Sequence, residues 1–123
     1  MALAATSQID ALGIHDETGD LDVILIDERD WLDESAHLEL LQAKLNSYLR
    51  FLESGEVFET RPEAVGRPIR IRIHFKEQPT TRAGHFLKKA ARAIAEAGFD
   101  LSYRVHPSEA WLKPDEAAGQ SGI

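Results

Sequence analysis

The sequence predicts an α+β fold: a two-layer α/β sandwich in the order β-β-α-β-α-β, with a mixed four-stranded sheet and two helices on one face. Three observations carry that prediction. Leucines recur at steps of three and four between Leu38 and Leu52, as along one face of a long helix. Residues 69–76 alternate strictly between apolar and basic, as in a strand with one covered face. The interval from there to a second alternation at 101–106 holds another helical pattern. It is long enough for a right-handed crossover between parallel strands. A chain of 123 residues suits one compact domain, placed at residues 1–106, followed by a tail at 107–123.

Each element has its own local warrant. Ile9 to His15 and Leu21 to Ile26 flank a polar connector containing Gly19, the pattern of an antiparallel hairpin. Val23 to Ile26 is an unbroken apolar run, which implies burial on both faces. Leu38, Leu41, Leu45, Leu49 and Leu52 form the helical stripe, widened by Leu40, Tyr48 and Phe51. Asp30 and Asp33 stand at its start as N-cap and first-turn acids, and Gly55 follows its end. Residues 56–68 read as a connector with one irregular turn, because Pro62, Gly66 and Pro68 interrupt it. In the third strand Ile69, Ile71, Ile73 and Phe75 face one way and Arg70, Arg72, His74 and Lys76 the other. Thr80 or Thr81 caps the second helix, and Gly98-Phe99 reads as a Schellman ending. The fourth strand sets Leu101, Tyr103 and Val105 against Ser102, Arg104 and His106. The expected core joins Leu38, Leu41, Leu45, Leu49, Ile71, Ile73, Phe75, Phe86, Ile94 and Val105.

Composition then removes whole classes of function. Leu, Ile, Val and Phe make up about a quarter of the chain, enough for a core and too many for general disorder. Asp and Glu number 21 against 14 Lys and Arg, giving −7, which argues against general nucleic-acid binding. The absence of cysteine excludes disulfides, Cys-ligated metal and thiol catalysis. No apolar run approaches the ~20 residues of a membrane span. Residues 1–10 lack the features of a secretory signal, so a cytoplasmic location is expected. No catalytic or cofactor motif is present, and no cofactor is expected. The histidines at 15, 37, 74, 85 and 106 lack i, i+4 ligand spacing, and the acidic runs at 16–22 and 27–34 lack calcium-loop spacing, so no metal is expected. Glu53 and Glu56 around Gly55 read as a helix exit rather than an acid–base pair.

Charge is segregated along the chain. Residues 1–66 hold fifteen acids and four bases, net −11; residues 67–123 hold ten bases and six acids, net +4. Arg70, Arg72, His74, Arg104 and His106 fall on one sheet face by parity and are the candidate anion or partner site, with arginine forks suited to carboxylate or phosphate. The blander reading, preferred here, pairs them with Asp22, Glu28 or the acidic connector. A nucleic-acid surface would want aromatics on that same face, whereas Phe75 and Tyr103 fall on the other. Trp31, just before the long helix, reads as a packing staple. Ile24 and Ile26 share the basic face, together with Leu12 and Ile14 or else with Ile9 and Ala11. Such a patch calls for a cover. The tail could supply Trp111 and Leu112, or a second copy could pack there. The homodimer is preferred because the two halves of the chain are complementary in charge.

One resemblance joins these readings. Asp30-Trp31, the run His37 to Leu49, Glu53-Ser54-Gly55-Glu56, Gly66 and Ala97-Gly98-Phe99 together resemble a small bacterial family of unknown function, DUF6572, over most of residues 9–106. The resemblance implies no activity and brings no catalytic residue. The expectation is a small non-catalytic cytoplasmic domain that binds another protein or itself, with neither nucleic acid nor membrane as partner. The alternative is an anionic-ligand-binding protein or enzyme using the Arg/His cluster.

Overall fold

The computed structural model describes residues 9–106 and 111–114. The elements are β1 (Ala11–Ile14), β2 (Leu21–Asp27), α1 (Glu34–Glu53), α2 (Glu56–Thr60), β3 (Ile69–Phe75), α3 (Thr81–Glu96) and β4 (Asp100–Val105). The sheet runs β1-β2-β3-β4, with β1 antiparallel to β2 and the other pairs parallel. This is the predicted α+β fold with its mixed four-stranded sheet, and it has a third helix. The short α2 and the 3-10 turn Pro62–Ala64 fill the connector that Pro62 and Gly66 mark as irregular. Both crossovers advance the same way across the sheet, so right-handed connections put α1 and α3 on one face.

Local chemistry sets the helix ends. The Asp33 carboxylate accepts from the Ala36 amide, and the Thr80 hydroxyl oxygen accepts from the Ala83 amide. At the end of α3, Gly98 takes φ of 96°. There the Phe99 amide donates back to the Ile94 carbonyl at 3.0 Å, the six-to-one bond of a Schellman ending. Only a residue without Cβ adopts that angle without strain.

A single core joins Leu21, Val23 and Leu25 of β2 and Ile71, Ile73 and Phe75 of β3 to Leu41 and Leu45 of α1 and Leu87 and Ile94 of α3. Four expected core members are only half-buried: Leu38, Leu49, Phe86 and Val105. The inward face of α1 instead carries His37, Leu41, Lys44, Leu45, Tyr48, Phe51 and Leu52, rotated from the leucine stripe. Leu49 and Phe86 line an apolar cleft of about 270 Å³ between α1 and α3, where each is covered on one side. Val105 stands at the end of an edge strand. Burial of β2 on both faces is likewise incomplete. Leu21, Val23 and Leu25 are wholly enclosed, while Ile24 and Ile26 on the other face are half-buried.

Candidate functional site

Parity sends Asp22, Ile24 and Ile26 of β2, Arg70, Arg72 and His74 of β3, and Ser102 and Arg104 of β4 to the face without helices. The parallel register aligns Asp22 with Arg70, Ile24 with Arg72 and Ser102, and Ile26 with His74 and Arg104. The antiparallel register sets Ala11, not Leu12 or Ile14, beside Ile24. Four of the five predicted basic residues therefore share one surface. His106 lies just past β4 and is exposed.

These side chains are largely paired with one another. Arg70 Nε donates to Asp22 Oδ1 at 2.6 Å, and its Nη1 lies 3.2 Å from Asp20 Oδ2. Arg72 Nε is 3.6 Å from Asp22 Oδ1, beyond a formed hydrogen bond. Arg104 Nε donates to His74 Nδ1 at 3.0 Å. Burial lowers the Arg72 pKa from its usual value, with the Asp22 charge opposing. Asp22 is thus the acid that the ion-paired reading required, and Asp20 joins it. Glu28 is exposed.

The tail reaches this face. The Trp111 ring lies over the guanidinium of Arg72, 4.2 Å from its carbon, and over that of Arg104 at 4.9 Å. It meets the His74 ring edge-on at 4.9 Å. Leu112 forms an antiparallel bridge with Tyr103: the Leu112 amide donates to the Tyr103 carbonyl at 2.7 Å, and the Leu112 carbonyl accepts from the Tyr103 amide at 2.9 Å. Leu112 itself is 41% exposed. Beside this contact two buried atoms, Arg72 Nε and Ser102 Oγ, have no hydrogen-bond partner among the described residues.

Two buried polar clusters on the helix side escaped the pattern reading. In the first, Asp27, the last residue of β2, hydrogen-bonds His37 Nε2, and both side chains are fully enclosed. His37 Nδ1 faces the Asp30 carbonyl at 2.8 Å; a carbonyl only accepts, so Nδ1 carries a proton. Burial pushes the Asp27 carboxyl above its ordinary value, with His37 opposing. Trp31 stacks on the imidazole at 3.6 Å between centroids, and its indole N–H points to the Glu77 carbonyl at 3.4 Å. That is the staple role expected of Trp31, with a histidine as its platform.

In the second cluster, Lys44 Nζ donates to Asp10 Oδ1 at 2.9 Å, and Asp10 Oδ2 accepts from the Ile26 amide at 2.8 Å. The Tyr48 hydroxyl donates to the Ile24 carbonyl at 2.6 Å and accepts from the Asp10 amide. Burial raises the Tyr48 pKa, so the phenol keeps its proton. These side chains satisfy β2 backbone groups beyond the four residues of β1. The signal was available. His37, Leu41, Lys44 and Tyr48 share a helical face, and Asp27 has the parity of Leu25.

A concavity of about 500 Å³ beside the hairpin is lined by Gly13, Ile14, Asp16, Glu17, Asp22 and Ile24 among others, with no arginine or lysine. Glu53 and Glu56 are exposed. Among the described residues no three histidine or acidic side chains gather as a metal site, and no helix is long and apolar enough to cross a membrane.

The fold and its ion-paired face define a two-layer α+β domain with a charged, aromatic-capped open sheet. The chain belongs to the family of unknown function DUF6572, whose sequence model matches residues 1–107. Trp111 and Leu112 lie beyond that match. No curated protein and no solved structure matches the chain.

Proposed function

We propose that this chain is a non-catalytic cytoplasmic binding domain that works through the open face of its sheet, on a protein partner or a second copy. One observation supports this reading above the others. Arg70 meets Asp22 and Asp20, Arg72 lies near Asp22, Arg104 donates to His74, and the Trp111 ring covers Arg72 and Arg104. A small-molecule site would turn such groups toward a common cavity. Ile24 and Ile26 add a half-buried apolar strip beside the charges, which suits a macromolecular contact.

A thermal-shift screen of phosphorylated and carboxylated small molecules tests the reading against its rival. The binding domain shows no stabilisation by any small anion. An anion that raises Tm in the native chain, but not in the Arg72→Gln/Arg104→Gln variant, overturns the proposal in favour of a small-ligand protein.

A further inference from the structure

The contact made by the tail has the two components of strand-addition recognition. One is main-chain: Leu112 exchanges both of its backbone hydrogen bonds with Tyr103 on the edge strand β4. The other is a side-chain anchor, since Trp111 is held by Arg72, His74 and Arg104. Peptides that add to a sheet edge draw affinity from the first and specificity from the second. Among the described residues the backbone part is a single bridge, and Pro114 has no amide with which to extend it.

The tail also fits incompletely. Arg72 Nε and Ser102 Oγ, in residues only 8% and 7% exposed, have no hydrogen-bond partner among the described residues, Arg72 Nε having only the longer Asp22 ion pair at 3.6 Å. Unmet donors in an enclosed place are costly, so a better ligand would supply an acceptor there.

We propose that the β4 edge, with the cradle of Arg72, His74 and Arg104, is a binding site for an extended peptide segment carrying an aromatic anchor, and that Trp111-Leu112 occupies it in cis. This rests on the binding reading above and names the partner: a segment antiparallel to β4, with an aromatic side chain over the two guanidiniums. The tail acts as a tethered competitor. Its effective concentration sets the threshold that a partner must exceed.

The test uses the full chain and a synthetic peptide of residues 107–114, followed by amide NMR shifts to millimolar peptide. In the Trp111→Ala chain the peptide shifts Tyr103, Arg72 and Arg104, and it binds the native chain about tenfold more weakly or worse. A peptide with alanine in place of the tryptophan produces no such shifts. Leu112→Pro, which deletes the amide donating to Tyr103, is the second background should Trp111→Ala fail to fold. Absence of shifts in both folded variants, or shifts confined to the helix side, overturns the proposal. The binding reading then still stands or falls on the small-anion screen.

Discussion

The two sides of the sheet both bring acids to bases, and they do so under opposite conditions. On the α1 side, Asp27 and His37 meet in full enclosure, and Lys44, itself fully enclosed, reaches an Asp10 that is nearly so. On the open side, Asp22 serves Arg70 and Arg72; Asp22 and Arg72 are largely buried, and Arg70 keeps the most contact with water. Charge in an enclosed site carries a desolvation penalty that only its own partners offset, so each member there is indispensable to the other. Charge that stays partly wet, as at Arg70, retains part of its hydration, and the loss of one partner there is tolerated. The α1 side therefore works as a set of internal pins joining β2, α1 and the segment before β1. Pairs of the second kind exchange partners more readily, as the proposed binding surface requires.

Three measurements press on this contrast. The largest effect is expected from Asp27→Ala, which leaves His37 enclosed without its carboxylate. It should cost about 3–5 kcal/mol in urea unfolding, the range for a broken buried pair. A loss below about 1 kcal/mol would erase the distinction between the two sides. The second concerns pH. Burial holds the Asp27 carboxyl above its usual 3.8, so the fold binds that proton more tightly than the unfolded chain does. The stability this group contributes is complete below about pH 3.8 and is lost as pH rises through the raised value. Asp27→Asn removes the titration, so the Tm of the native chain minus that of the variant should fall from about pH 4 to pH 7. A flat or rising difference would show that the group is not held as the geometry indicates. The smallest effect belongs to Arg70→Gln. Although it breaks contacts with both Asp22 and Asp20, it should cost about 1 kcal/mol or less and become milder in high salt. A cost matching that of Asp27→Ala would make the open face as rigid as the buried side.

Much of this architecture is local and hence legible in the residues. Alternation over Ile69–Phe75 and leucine spacing over α1 follow from the periods of strand and helix. The endings at Asp33, Thr80 and Gly98 follow from which side chains and angles satisfy stray backbone groups. Segregation of the basic residues onto one face follows from strand parity alone. The pairing of that face with Asp22 followed from the same parity once β2 was set beside β3.

What the pattern misjudged is informative about its premise. The leucine stripe makes Leu38 and Leu49 central only where apolar residues alone mark the inward face. In the fold α1 turns so that His37, Lys44 and Tyr48 point inward, since Asp27, Asp10 and the Ile24 carbonyl wait there to be satisfied. Those acceptors come from segments 10 to 34 residues away in sequence, and no window along α1 contains them. The same limit applies to Trp111. The sequence offers Trp111 only as one of two covers for this face, the other being a second copy, and the choice of Arg72 and Arg104 belongs to two strands that only the assembled sheet brings together. By itself, then, the sequence determined the four strands and the two long helices, their order and the sidedness of charge, because these depend on neighbours within a few residues. Only the tertiary structure decided the rotation of α1, the burial of its ionisable pins and the seat of the tail. Each of these rests on the desolvation of polar groups by distant segments, a free energy that exists only once those segments have met.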